Sequence, residues 1–556
     1  MMNPAAYPRA IMIRRLSTAA DALRRVLVNP DIRRALVAWM LGYAGDWSWL
    51  VALWVYTYQT SGVLAVGILG LGRTLPAAIL SPALSTLTDR LPRHRVLLVI
   101  HLGRATLIGT AALAVASGMP PFVVYAIAPL DALLGVLHRP THMPLMPALA
   151  RSPEELVASN VASSTFEGIG TLIGPALGGL LVAYATPAWG FGVPALLFAT
   201  AAASVSGIRP AQALRRNAAR IGLVDTFFGG IRALVEHPRA GLVVGLFWAQ
   251  IIVRGLLNVL LVVAAIELLG VGEQGVGYLN SAIGAGGFIG VLATVTLVSR
   301  RQMALPFATG LVLWGTPILL IGLLPFAPAA VVFLAVLGLG NAVLDIAGFT
   351  IMQRSVPNAV RGRVFGVLES GVMLGTGIGS GLAPLLLAAL GIRGALVATG
   401  LILPTLAVAT WRWVSQADAD AVIPERELAL LRGVPILAPL PMTVLEQVAS
   451  DLVSVSYADG DVIIREGDAG DRFYILDSGK VEVMQAGQPV RELVRGDSFG
   501  EIALLRDVPR TASVMAVGPV EVCALDHDAF VAAVSGDVQS RRAAEAVMRE
   551  RADGRS

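Results

Sequence analysis

FGEIALLRDVPRTAS, residues 499–513, places a glycine, a short helix-forming run and an arginine within one turn-and-helix unit. Gly500 lets the backbone approach a ligand without a Cβ. The run after it predicts a short helical turn, whose first N–H groups have no partner inside the helix and suit an anion. Arg510 adds a charge that can make a charge-assisted contact to the same anion. The flanking sequence is β-type. Short alternating strands are punctuated by Gly460-Asp461, Gly467-Asp468, Gly470-Asp471, Ser478-Gly479 and Gly496-Asp497. Many short strands with regular turn signals predict a small β-barrel or jelly roll. Helical periodicity precedes them from Glu425 to Leu452, and a last helical stretch runs from about His527 to Arg551. Residues 431–556 form this domain. The polar Ser415–Asp420 lies in a linker over 414–430.

Upstream the composition is different. The 556-residue chain is 55% hydrophobic and 14% charged, against roughly 25% charged for a soluble globular chain. From Ala35 to Trp413 it is a series of apolar runs, each long enough to cross a hydrocarbon core of roughly 30 Å. They fall near 35–58, 63–87, 95–117, 120–138, 158–185, 188–208, 240–268, 274–298, 303–324, 328–352, 362–390 and 392–413. The fold class is therefore a polytopic α-helical membrane protein of about twelve spans with a C-terminal β-roll and flanking helices. Alternate loops are basic: Arg90, Arg93 and Arg95; Arg139 and Arg151; Arg209, Arg215, Arg216, Arg220 and Arg239; Arg300 and Arg301; Arg354, Arg361 and Arg363. The intervening loops are short and nearly free of arginine, with Arg393 the exception. The positive-inside rule puts both termini and the β-roll in the cytoplasm, under the cell's inner membrane. Residues 1–34 are a basic leader without signal-peptide features. Residues 35–208 and 240–413 are two similar six-helix halves around the basic loop 209–239.

Several classes are excluded by content. Cys523 is the lone cysteine, so neither an internal disulfide nor a cysteine–metal cluster is available. A net charge of +4 does not indicate a nucleic-acid partner. No Walker loop, nucleophile–base motif or zinc spacing occurs, so an enzyme and a metal are not expected. His138 and His142 are four apart, but Pro140 between them argues against a metal pair. Lys480 is the only lysine, as in a GC-rich bacterial genome.

Residues 430–550 resemble the cyclic-nucleotide-binding domain of catabolite activator protein, protein kinase A regulatory subunits and nucleotide-gated channels. GDVIIREGDAGDRFYILDSGKVEV, residues 460–483, follows that family's first half, and residues 499–513 resemble its phosphate-binding cassette. The resemblance implies that Phe499, Gly500, Glu501, Ile502, Ala503, Leu504, Arg510, Thr511 and Ala512 hold a cyclic nucleotide. Arg510 would meet the cyclic phosphate and Glu501 the ribose 2′-hydroxyl. Ile502, Ala503, Leu504 and Val514 would form an apolar wall. It favours cAMP over cGMP, and makes the terminal helix a candidate lid. Domains of this type often pair, so a homodimer is a candidate assembly.

Residues 35–413 resemble the major facilitator superfamily, with the drug and siderophore exporter branch nearest. Gly45-Asp46-Trp47 matches the branch's start, and Asp89-Arg90-Leu91-Pro92-Arg93 is a degenerate copy of its gating loop, with Ser85 and Pro92 in place of two glycines. GTLIGPALGG, residues 170–179, matches the family's antiporter signature. Gly170, Gly174 and Gly178 share a helical face, Pro175 adds a bend and Gly179 completes the motif; Gly284, Gly287 and Gly290 offer a complementary small surface on the eighth span. Plain small-residue packing is the alternative role.

Ionisable residues inside spans cost roughly 2.5–3.5 kcal/mol each at a helix centre, so they face a cavity or one another. Here these are Asp46, Arg73, Arg104, Asp131, Glu167, Arg254 and Asp345. Equal depth pairs Asp46 with Arg73 and Arg104 with Asp131, either for proton exchange or for holding helices together. Asp345 lies near the cytoplasmic end of its span, and Glu369 and Asn341 are secondary candidates. Trp47, Trp49 and Trp54 face either the cavity or lipid. Many relatives carry a basic residue deep in the fourth span; here Arg139 sits at its end. The reading is a proton-coupled exporter of a small molecule controlled by a cyclic nucleotide. The competing class is a transporter-like receptor that senses without transporting.

Overall fold

The structure is a computed structural model and describes residues 28–88, 91–150, 153–208, 223–294, 302–356, 358–419, 425–440, 442–506, 508–535, 540 and 543–547. The chain divides into two compact units, residues 1–151 with 158–421, and residues 422–556 with 152–157.

The first unit is entirely helical among the described residues. Its helices are α1 (Pro30–Thr88), α2 (Arg93–Ala116), α3 (Phe122–Gly135), α4 (His138–His142), α5 (Leu145–Leu149), α6 (Pro153–Tyr184), α7 (Pro187–Ser206), α8 (Leu223–Glu236), α9 (Pro238–Val263), α10 (Gly272–Thr294), α11 (Ala304–Leu323), α12 (Ala327–Ser355) and α13 (Asn358–Ala419). Nine of the helical stretches among the described residues are long and apolar enough to cross a membrane. Two of these are too long for one crossing, and each is broken by a glycine. Gly62 sits at φ 73, ψ −177 inside α1, and Gly391 at φ 66, ψ 175 inside α13. These backbone angles are open to glycine and strained for any L side chain. Each break turns one long helix into two arms. Pro129, Pro175, Pro194, Pro317, Pro384 and Pro404 lie within helices, which membrane helices tolerate because neighbours satisfy the freed carbonyls.

Two expectations change here. The basic loop 209–239 contains α8, whose Arg232 pairs with Glu236 one turn on at 2.9 Å. The polar stretch read as the start of a linker continues α13 to Ala419. Asp418 explains this: its buried carboxylate accepts hydrogen bonds from the backbone N–H groups of Met303 (2.6 Å) and Ala304 (2.8 Å). It thereby caps the start of α11, where free N–H groups favour an anion. Residues 1–27, 209–222 and 420–424 lie outside the described residues.

The glycine face of α6 also packs differently from expectation. A Cβ on Gly170 would fall 2.7 Å from Tyr43 Cβ, one on Gly174 2.7 Å from the Ala44 carbonyl oxygen, and one on Gly178 2.7 Å from the Ser48 carbonyl oxygen. This stripe therefore lets α6 touch the first arm of α1, not the eighth span. The neighbouring Gly179 makes the contact to α10: a Cβ there would lie 2.7 Å from the Gly277 Cα. Gly284 of α10 meets Thr171 and Leu172 of α6, whereas Gly290 turns to Leu339 and Ala342 of α12. A helix of small residues presents several faces, and the motif alone does not say which neighbour takes which.

The second unit holds α14 (Glu425–Gly433), α15 (Met442–Asp451), strands β1 (Val453–Tyr457), β2 (Val462–Ile464), β3 (Arg472–Gln485), β4 (Gln488–Leu493) and β5 (Ser498–Phe499), then α16 (Glu501–Arg506), β6 (Ser513–Asp526) and α17 (His527–Ser535). The sheet runs β1-β6-β3-β4, with β2 on β6 and β5 on β3. All pairings are antiparallel. Side chains alternate across a strand, and β3 uses both faces. Phe473 and Ile475 join Cys523, Leu525 and the helices in one cluster, while Tyr474 and Leu476 join Phe499, Val522 and Ala524 inside the roll. Phe473 stacks on Phe530 of α17 with ring centroids 4.3 Å apart. Cys523 is 2% exposed, and burial pushes its thiol pKa up.

Gly174→Val should force a side chain into the Ala44 carbonyl and Trp47, at an overpacking cost of about 1–3 kcal/mol. Gly72→Ala, where a Cβ meets nothing within 4 Å, is the control. Thermal melting of the purified protein should show a loss of several degrees for the first and none for the second. Equal melting of both would refute the close α1–α6 contact.

Candidate functional site

The anion cradle forms where β5 ends and α16 begins. Gly500, at φ 91, makes the turn, and Glu501 opens the helix. Arg510 lies against this turn and is 4% exposed. Its Nη1 donates to the Gly500 carbonyl (2.9 Å), and its Nη2 donates to the Arg472 carbonyl (2.8 Å) and Asp471 Oδ1 (3.0 Å). The backbone fixes it as well: Arg510 N–H donates to the Asp468 carbonyl (2.8 Å), and Gly467 N–H to the Arg510 carbonyl (2.9 Å). A guanidinium held by two carbonyls and an exposed carboxylate is pre-positioned beside the N-terminus of α16, so an anion there meets both. Any side chain at Gly500 would strike Arg510, because a Cβ would lie 2.7 Å from Nη1.

The other cassette residues divide. Phe499 stacks on Tyr474 at 5.2 Å, and burial pushes the Tyr474 phenol pKa up. Glu501 and Ala503 are buried, Ile502 and Ala512 half-buried, and Thr511 exposed. Leu504 does not share a wall with Val514: it packs with Phe473 and Phe530 on the helix side, while Val514 faces the roll interior. A helical turn points Leu504 away from the face that Ile502 presents. Asp471, which orients Arg510, was not among the expected residues; its only local signal was the Gly470-Asp471 turn. Of the candidate lid, His527–Ser535 is helical.

In the helical unit four charges converge. Arg104 Nε donates to Asp131 Oδ1 (2.7 Å) and Nη2 to Asp131 Oδ2 (3.1 Å), a bidentate pair; Nη2 also bonds Asp46. Arg73 Nη2 stands farther off, 3.8 Å from Asp46 and 4.0 Å from Asp131. Phe198 lies beneath the Arg104 guanidinium at 4.2 Å, a cation–π contact. The expected Arg104–Asp131 pair is present. Asp46, expected to pair with Arg73, has Arg104 as its closer partner.

Asp46 and Arg73 also line a cavity of about 290 Å³. Arg254 and Asp345 line it from α9 and α12, so Asp345 belongs to the cavity rather than to the helix end where its position in the sequence put it. Asn341 and Glu369 line it too, as do Trp47 and Trp54. Trp49 instead packs edge-on against Phe191 and is fully buried. Glu167 stands apart, 3.3 Å from Arg139. Asp89 and Arg90 lie outside the described residues, and Arg93 opens α2.

Three histidines of the helical unit come together, His138 and His142 being joined by His101 from α2. His101 meets His138 with ring centroids 4.9 Å apart, and His142 stacks on Trp39 at 4.0 Å. All three are buried. No group of three potential ligands suited to a metal ion occurs among the described residues.

Arg104→Leu should strip both aspartates of their buried partner. Breaking a buried pair costs about 3–5 kcal/mol, so the variant should lose folded yield or melt many degrees lower. Arg73→Gln, whose ion contacts are long, should melt close to wild type. An Arg104→Leu protein as stable as wild type would remove Arg104 from the centre of the network.

Comparison with known proteins agrees with both halves of this picture. Residues 454–537 match the family described as Cyclic nucleotide-binding domain, and residues 304–458 match the Major Facilitator Superfamily. The chain is 45% identical over 102 residues to a cAMP-dependent protein kinase regulatory subunit of Pyricularia oryzae, covering 18% of this chain and 26% of the relative. It is 41% identical over 114 residues to cGMP-dependent protein kinase, isozyme 1, of Drosophila melanogaster, covering 19% and 15%. The chain thus spans about a quarter or less of these relatives. A solved structure of the regulatory domain of Toxoplasma gondii PKA with cAMP is 25% identical and covers 26% of this chain and 56% of that one, at a TM-score of 0.22. The chain joins a Major Facilitator Superfamily domain to a C-terminal cyclic nucleotide-binding domain.

Proposed function

We propose that this chain is a secondary active transporter of the inner, cytoplasmic membrane, controlled by a cyclic nucleotide on its C-terminal domain. The observation that carries the reading is the conjunction of a charged cavity among apolar helices with an arginine-backed anion cradle in the same chain. Splitting α1 and α13 at their glycine breaks and adding α10 brings the apolar segments to twelve, which supports a two-half transporter with both termini cytoplasmic. The close α6–α10 approach at Gly179 and Gly277 favours export by antiport, and a carboxylate shared between two arginines favours a proton as the coupling ion. The kinase relatives favour cAMP. We read the chain as a transporter rather than an enzyme, with a lipid bilayer, a small-molecule substrate and a homodimer as its associations. Nucleotide control requires that the ligand bind the transport states with different affinity; a tenfold effect needs about 1.4 kcal/mol.

Calorimetry of the full-length protein with cAMP and cGMP tests the nucleotide half. Binding should favour cAMP and weaken about a hundredfold in Arg510→Ala, the cost of roughly two charged hydrogen bonds. Binding of neither nucleotide would overturn the assignment. In liposomes, an imposed proton gradient should move a transported compound with wild type and not with Asp46→Asn; movement indifferent to the gradient argues against proton coupling.

A further inference from the structure

The cavity wall contains two arginines whose hydrogen-bonding capacity is largely unused. Arg73 Nε is buried and has no hydrogen-bond partner, and its Nη2 reaches carboxylate oxygens only at 3.8 and 4.0 Å. Both of those carboxylates are already bonded by Arg104. Arg254 makes no hydrogen bond and no ion pair within 4 Å among the described residues, and feels Asp345 of the same wall only through its charge at longer range. The carboxylates of the same wall are better served. Asp46 has Arg104, Asp345 accepts from Asn341 Nδ2 at 2.9 Å, and Glu369 is exposed. What the cavity wall leaves unmet is N–H donors of its two arginines, which the oxygens of an anion would accept, although the lining also carries Asp46, Asp345 and Glu369.

We propose that the transported substrate class is an organic anion, with its acidic group held between Arg73 and Arg254. A guanidinium presents a planar fork that fits a carboxylate, sulfonate or phosphate. Trp47, Trp54, Phe247 and Phe349 line the same cavity and supply apolar faces for the rest of the molecule. The cavity volume of about 290 Å³ sits near the lower end of ligand pockets, so the body is compact. Arg73 stands on the second arm of α1 and Arg254 on α9, so one anion contacts both helical halves. Engaging Arg73 also draws it from Asp46 and Asp131, which ties substrate occupancy to the four-charge network. The substrate class rests on the transporter reading; the anion site does not.

The test uses naphthalene-2-sulfonate, its quaternary ammonium counterpart and neutral 2-naphthol on the full-length purified protein, with binding read by calorimetry. The sulfonate should bind, and the ammonium and naphthol should bind at least about tenfold more weakly. Arg254→Gln should weaken the sulfonate about ten- to a hundredfold, and Arg254→Lys, which keeps the charge and loses the fork, should fall between. An undisturbed cAMP affinity and melting profile would certify the variants. The proposal is overturned by absent sulfonate binding, by equal or tighter binding of the ammonium, or by sulfonate affinity unchanged in the Arg73→Gln/Arg254→Gln double variant. Labelled probes in liposomes separate the two readings. Sulfonate that binds without gradient-driven flux retains the anion site and retires transport, whereas flux of the ammonium without sulfonate binding does the reverse.

Discussion

Burying Arg104 sets the terms for the helical unit. A guanidinium removed from water demands compensation on several of its N–H groups, and here Asp131 and Asp46 come from two other helical segments to provide it. Helices that share such a group cannot slide independently. The glycine stripe of α6 then becomes intelligible, because it lets a further helix press against the turns around Asp46. Charge and close packing thus act on the same stretch of α1. Arg104 takes the short hydrogen bonds of both aspartates, so Arg73 balances their second charge only at 3.8 and 4.0 Å and keeps N–H groups unused toward the cavity.

The β-roll solves the same problem of placing a cation in a partly buried position by another route. Arg510 is held chiefly by backbone carbonyls, with one exposed carboxylate. Carbonyls orient the guanidinium without neutralising it, so its charge stays available to a ligand. A full buried ion pair, as at Arg104, spends that charge inside the protein.

What the sequence disclosed follows from which geometric variable each argument used. Gly500 and Arg510 are close in the chain, and local turn and helix geometry nearly determines their relation, so the cradle was legible. Asp471 was not, because it reaches Arg510 across 39 positions through strand pairing. Within the helices, residue counting gives height along an axis but not rotation about it. Equal height found Arg104 with Asp131; rotation decided that Asp46 also turns to Arg104. The glycines of α6 showed that something packs closely there without saying what. Hydropathy misread Ser415–Ala419, since a polar side chain that caps a neighbouring helix has the same signature as a solvated linker.

The placement of Cys523 bears on how this protein can be studied. The chain's single thiol faces the packed helices of the β-roll, and its raised pKa keeps it in the unreactive, protonated form. A cysteine introduced at an exposed position therefore becomes the chain's reactive thiol with no native residue to delete first. Pairs of such labels, read by fluorescence or spin resonance, can follow distances in the working protein against a silent background.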